Sequence, residues 1–285
     1  MSKFNEMKGY NSFDEIYQAM FEHLYKTGEV TTGNIRTKFA NGNPAHRKRV
    51  TEVTFTIDEE ESYLPLITSR KMPVKSAINE IIWIWIKQSN NIKDLVGKFW
   101  DELEDKDGSV GKAYGYQMAK ETYGHPSQLD YILHELKNNP NSSRIGTKLW
   151  IPEELNQMAL APCVHLTQWH VIRGKLEMFV RQRSCDFAVR LPNNVMQYSV
   201  LHKAVATHVG LTAGAMHWSV GDLHYYTEHE STLLSMFDAT SYDSKKRPTI
   251  DTMFLPVDIR NLSTDNVVIG GVPENLPKYE FEIAI

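Results

Sequence analysis

Between Ala161 and Asn194 the chain carries a thiol, an arginine, a carboxylate and an amide: Cys163, Arg183, Asp186 and Asn194. The run reads Ala161-Pro162-Cys163, two extended segments, Gln182-Arg183-Ser184, Asp186, then Leu191-Pro192-Asn193-Asn194. A cysteine attacks as its thiolate, and a nearby guanidinium favours that form. An amide both donates and accepts hydrogen bonds, so it can match a polar ring edge. The set suits attack on an electron-poor ring. An isolated cysteine and arginine would more often be a small core residue and a solvated strand end. The chemistry therefore depends on elements that bring them together.

The two segments read as a hairpin. Residues 165–172 and 176–184 are rich in β-formers and meet at Arg173-Gly174-Lys175, where the glycine can take positive φ. Leu176, Met178 and Val180 alternate with Glu177, Phe179 and Arg181, a period of two. A hairpin joins its open ends, so Cys163 and Arg183 are expected side by side. Tyr198, Leu201, Val205 and Val209 give the apolar face of a following helix that Gly210 ends, with Asn194 as its cap. Upstream, residues 13–25 predict a helix ended by Gly28, and residues 31–46 a polar loop holding Arg36. Residues 53–57 alternate like a strand, and residues 75–88 predict a helix with Ile78, Ile81, Ile82 and Trp85 on one face. Glu80 lies within that helix, where the ordinary fate of glutamate is solvent. Residues 129–136 are helical in pattern, and residues 216–220 read as a strand leading to His224 and Tyr226. The last residues, 279–285, alternate like an edge strand.

A net charge of −4 argues against a nucleic-acid groove and is compatible with a substrate that needs only a few local arginines. Apolar residues are 41% of the chain, and no repeat, linker or low-complexity tract divides it, so one domain over 1–285 is expected. Two cysteines suit a reducing compartment. The polar start is unlike a signal peptide, and the longest apolar run, 81–86, is too short for a bilayer. A soluble cytoplasmic protein with no membrane partner is expected.

These residues resemble the thymidylate synthase family over nearly all of the chain. Its Pro-Cys nucleophile matches Pro162-Cys163, and its Gln-Arg-Ser-x-Asp matches Gln182, Arg183, Ser184 and Asp186. Its base-reading asparagine matches Asn194, and its Gly-Asp-x-His-x-Tyr matches Gly221, Asp222, His224 and Tyr226. The resemblance implies an α/β (α+β) three-layer domain, with a large mixed sheet flanked by helices and sheets packed in a homodimer. It implies dUMP as substrate and 5,10-methylenetetrahydrofolate as co-substrate, with no metal. Cys163 would be the nucleophile, Arg183 its partner, and Asn194 the reader of the uracil edge. Glu80 would organise water for proton transfer, and Tyr114 would assist loss of the C5 proton. Arg36 and, across a dimer interface, Arg144 would bind the phosphate. Gln182, Ser184, Asp186, His224 and Tyr226 would bind the nucleotide, His224 and Tyr226 at the 3′-hydroxyl. Trp100, Asp186 and Asn193 would border the folate, and the C-terminal residues would close as a lid.

The chain departs from the synthase pattern at four places. Val189-Arg190-Leu191-Pro192-Asn193-Asn194 has Arg190 for glycine and Asn193 for phenylalanine. Leu103 stands for a second tryptophan, and Ser143 breaks an arginine pair that leaves Arg144. Asn193 and Leu103 resemble the deoxycytidylate hydroxymethylase branch, whereas Asn194 is a uracil-type reader. Together they imply a deoxyuridylate hydroxymethylase making 5-hydroxymethyl-dUMP, an activity that would suit a virus with modified DNA. The alternative is a thymidylate synthase making dTMP and dihydrofolate. A nucleotide- or RNA-binding protein without catalysis is a third reading, against which the intact Cys163, Arg183, Asp186, Asn194, His224 and Tyr226 speak.

Overall fold

The structure, a computed structural model, describes residues 5–58, 62–95, 100, 107–239 and 247–284. Its strands and helices, in chain order, begin with β1 (Asn5–Met7), α1 (Phe13–Thr27), β2 (Glu29–Val30), β3 (Arg47–Ile57), α2 (Val74–Trp85), α3 (Gly115–Met118) and α4 (Gln128–Asn138). There follow β4 (Gly146–Lys148), β5 (Val164–Ile172), β6 (Lys175–Gln182), β7 (Cys185–Asp186), α5 (Arg190–Val209), β8 (Thr212–Tyr226), α6 (Glu230–Ala239), β9 (Thr249–Asp251) and β10 (Val268–Gly270).

The large sheet runs β1-β3-β8-β6-β5-β4, with β2 beside β3 and β7 beside β8. It is mixed: β3 pairs with β8 and β5 with β6 antiparallel, while β6 and β7 lie parallel to β8. The expected large mixed sheet with helices is therefore present, and its alternation is clear in β6. Leu176, Met178, Val180 and Gln182 point to the buried side, where α5 packs on β8 and α1 on β3. Thr54, Thr56, Gln168, Phe179, Arg181, His217 and Ser219 line a groove on the other side.

The hairpin forms as its sequence predicts, with a tighter turn. Arg173 and Gly174 both have positive φ, 53° and 77°, as a two-residue type I′ turn requires, and Lys175 already belongs to β6. The pairing slips between Val164 and Leu166, a bulge at the open end beside Cys163. The strand expected at residues 53–57 is longer, because β3 runs from Arg47 to Ile57 along β8 from Tyr226 back to Met216.

Helix α5 carries the fold's interior. All its residues from Leu191 to Ala206 are buried, the pattern of a helix enclosed on every side. Gly210 ends it at φ 74° in the left-handed conformation. Its start differs from expectation. Helical geometry begins at Arg190, so Asn194 lies inside the helix and does not cap it. Asp186 sets this start: its Oδ1 accepts from the Ala188 and Val189 amides at 2.9 and 3.4 Å. Pro192 falls in the first turn, where an N–H has no helical partner to lose. The described residues of the C-terminal tail do not form an edge strand. Among them only Ala284 makes a bridge, to Phe39, while the Pro277 and Glu282 carbonyls accept from Lys71 N and His229 Nε2. Among the described residues no helix is long and apolar enough to cross a membrane.

Candidate active site

The hairpin brings its two ends together as expected. The Arg183 amide donates to the Cys163 carbonyl at 2.9 Å, and Arg183 Nη2 lies 3.9 Å from Cys163 Sγ. The guanidinium is held there: its Nε donates to Pro162 O at 3.1 Å and its Nη2 to Ala161 O at 2.7 Å, and it lies over the Trp150 ring. Cys163 is half-buried, and its amide donates to the Tyr114 hydroxyl at 3.2 Å. Burial, with the nearby Cys163, pushes the Tyr114 phenol well above its ordinary pKa. Tyr114 also sits at φ 45°, a strained conformation of the kind held at functional sites. Its neighbour Gly115 packs so closely on Ser89 that an added Cβ would lie 2.0 Å from the Ser89 carbonyl. The second thiol, Cys185, is buried, and desolvation raises its pKa well above normal. That thiol is suited to packing rather than attack.

Glu80 is not solvated. Helix α2 is buried on nearly all sides, and Glu80 is 7% exposed. Its Oε1 accepts from Trp100 Nε1 at 3.2 Å and from Arg190 Nη2 at 2.8 Å. Trp100 is fully buried and meets Tyr114 edge-on, with centroids 5.0 Å apart.

At the far end of the site His224 Nδ1 and Asp222 Oδ1 are 2.8 Å apart. Burial opposes the Asp222 charge. The His224 hydrogen bond, the charges of His224 and Arg47 and the Arg49 hydrogen bond outweigh it and hold the carboxyl below the usual range. Tyr226 meets both His224 and Phe39, and burial raises its phenol above normal. Asn194 Oδ1 accepts from Gln197 Nε2 at 3.4 Å.

One cavity of about 220 Å³ gathers these groups. Cys163, Glu80, Tyr114, Arg183, Asn194, Arg36, Gln182, Ser184, Asp186, His224 and Tyr226 all line it. Three other expected residues do not. Trp100 stands behind Glu80. Asn193 is buried, and its Nδ2 turns back to the Val189 carbonyl at 2.9 Å. Arg144 is exposed on the loop after α4. Leu103 lies outside the described residues.

Gln182 and Gln197 both line the cavity, and Gln182 is fixed there by its Oε1, which accepts from Trp218 Nε1 at 3.1 Å. Arg36, Arg47 and Arg183 fit an anion, and Ile84, Leu160 and Val189 give an apolar wall for a planar ring. Arg47 and Arg190 are residues that motif reading missed as site members. Arg47 stands in the basic run His46-Arg47-Lys48-Arg49 that opens β3, and Arg190 was visible as a departure from glycine. Ile283 and Ala284 of the tail close one side. Away from the cavity, His125, His134 and Glu135 have ligand-type atoms within 4.8 Å of one another.

The thymidylate synthase family profile matches residues 15–285. The chain belongs to the thymidylate synthase family. A thymidylate synthase of Fusobacterium nucleatum is 48% identical over 237 residues, covering 82% of this chain and 86% of that one. The thymidylate synthase of Bacillus phage phi3T is 38% identical over 241 residues, covering 81% and 86%. Among solved structures, thermostable thymidylate synthase A from Bacillus subtilis superposes with a TM-score of 0.87 at 35% identity, covering 96% of this chain and all of that one. As a thymidylate synthase family member the chain is a folate-dependent enzyme acting at C5 of dUMP.

Proposed function

We propose that this enzyme makes dTMP from dUMP by reductive methylation, rather than the hydroxymethyl product that Asn193 and Leu103 implied. Two observations favour this over the earlier expectation. The similar proteins carry the name thymidylate synthase. Asn193, the residue meant to admit water, has its amide bonded to Val189 and does not line the cavity.

The observation that carries the reading is Cys163 held between Tyr114 and Arg183, in one cavity with Asn194 and the arginines. The Cys163 thiolate adds to C6 of the pyrimidine, forming an S–C6 bond and moving the ring electrons toward O4. Asn194 meets the O4 and N3 edge, and Glu80 orders water beside it. Tyr114, whose raised pKa keeps it a phenol, relays the C5 proton and does not stand as a phenolate base. Arg36 and Arg47 take the phosphate, with Arg144 of a second copy, and His224 and Tyr226 hold the sugar. Gln182, Ser184 and Asp186 fix the nucleotide, Asp186 also through the start of α5. When bound, 5,10-methylenetetrahydrofolate supplies the one-carbon unit and the hydride and leaves as dihydrofolate, with Val189, Ile84 and Leu160 toward it and Trp100 behind. The S–C6 bond then breaks and returns its electron pair to Cys163.

We also infer one catalytic unit over 1–285 that works as a homodimer. The sheet groove, with Phe179 37% exposed and stacked on His217, is the face offered to the partner. The deciding assay is mass analysis of the nucleotide together with dihydrofolate absorbance. Equal amounts of dTMP and dihydrofolate are expected; hydroxymethyl-dUMP with tetrahydrofolate would overturn the reading.

A further inference from the structure

Arg190 is in the wrong place for its own helix. It is the first residue of α5, where the helix dipole disfavours a cation, and no acidic residue stands in that first turn. Its side chain is only 19% exposed. A local arrangement this unfavourable needs a tertiary reason. The reason in this fold is Glu80, on a different helix and more deeply buried, at 2.8 Å. Neither charge could stay buried without the other.

The pair also has a direction. Arg190 Nη2 and Trp100 Nε1 both donate to Oε1 of Glu80, and the Arg190 guanidinium lies 6.0 Å from the Trp100 ring centroid. Two donors on one oxygen fix the carboxylate's rotation, so Oε2 becomes the oxygen available to the cavity that Glu80 lines. Arg190 lines the same cavity together with Tyr114 and Cys163. Burial alone would lower the Arg190 pKa, but Glu80, Tyr114 and Cys163 raise it on balance, so the guanidinium stays charged.

We propose, on the reading of the site given above, that Arg190 is a positioning residue for the reaction: it clamps Glu80 against Trp100 so that the free carboxylate oxygen faces the pyrimidine. The position held by glycine in the family's pattern thus acquires a second support for a group that must be preorganised. Arginine suits this task because its planar fork reaches a carboxylate in a fixed geometry, which lysine does not reproduce.

The test is a double-variant cycle on Arg190→Gln and Glu80→Gln, with Arg190→Lys beside it. Turnover is read as tritium release from dUMP labelled at C5, a step shared by the methyl and hydroxymethyl outcomes. Nucleotide affinity is read by calorimetry and folding by thermal midpoint. In the wild-type background Arg190→Gln should lower kcat by about thirtyfold, with dUMP affinity within about threefold and partial recovery in Arg190→Lys. In the Glu80→Gln background the same change should cost less than about threefold, because its route is already cut. An equal loss in both backgrounds, or a loss seen in dUMP affinity or thermal midpoint with kcat kept, would overturn the proposal. A wild type that releases no tritium would overturn the functional reading itself, and this proposal with it. A wild type that releases tritium but makes hydroxymethyl-dUMP would overturn only the product assignment.

Discussion

Cys163→Ala removes the attacking sulfur and little volume. Turnover should fall by about 10³-fold or more while dUMP binding stays measurable by calorimetry. Turnover within tenfold of wild type would refute the nucleophile. Cys185→Ala should keep most activity, since that thiol is buried and held above its normal pKa. Asn194→Asp should move preference from dUMP toward dCMP, because a protonated carboxyl offers the donor and acceptor in the cytosine order. Competition between the two nucleotides measures it, and an unchanged preference would remove Asn194 as base reader. The residues of the site were unequally legible in the sequence. Cys163 and Arg183 could be paired because a period of two and a glycine turn force hairpin ends together. Glu80 read as solvated because helical spacing marks one apolar face, and α2 is buried on the other as well. The signal was present: the run from Ile81 to Ile86 is apolar on all sides, and an acid in such a helix has no water to face. Arg47 stayed hidden because its place at the cavity depends on the pairing of β3 with β8, which no local pattern reveals.

The elements test the same reasoning at longer range. Gly210 closes α5 at φ 74°, and Gly210→Ala should lower stability by about 1 kcal/mol in chemical denaturation. Helix α1 is anchored through Asp14, whose Oδ1 and Oδ2 accept from the Thr68 amide and hydroxyl at 2.7 and 2.9 Å. Burial outweighs those bonds and raises its pKa from 3.8 to about 6. A carboxyl raised in the folded state favours folding when protonated. Its contribution is therefore complete below the unfolded value near 3.8 and is lost as pH rises through about 6. That window is worth at most about 3 kcal/mol. The stability difference between wild type and Asp14→Asn should shift in favour of the variant between pH 4 and pH 6.5, read by denaturant midpoint. A difference flat across that range would show Asp14 to be ordinary. The start of α5 misled the sequence reading because an asparagine after Pro192 looks like a cap. The actual start comes from Asp186 binding two amides beyond it, and Pro192 fits inside the first turn. The tail misled it for a different reason. Its alternation is real, but its partners are Lys71, His229 and Phe39, which do not form one strand edge.

At the scale of the whole molecule, the proposed phosphate site draws on both chains of the proposed dimer. Arg36 and Arg47 line the cavity, whereas Arg144 is exposed, its carbonyl accepting from Tyr131 at 3.0 Å and its amide donating to Ser142. Its side chain is thus open to a second molecule, as the proposed dimer requires. In the proposed dimer the second copy sits on the sheet groove, where Phe179 is exposed among polar residues. In the proposed dimer each Arg144 loop serves the other chain's site, and two-fold symmetry makes that contribution reciprocal. Arg144→Ala and Cys163→Ala chains should then complement each other. In a mixed dimer one site lacks both residues and the other keeps both. Random exchange of equal amounts makes half the dimers mixed, each with one working site, so activity should return to roughly a quarter of wild type. The measurement is tritium release at limiting dUMP, where phosphate affinity counts, with exchange followed by mass-labelled subunits. Activity that stays at the level of the separate variants, although exchange is complete, would place Arg144 outside the partner's site.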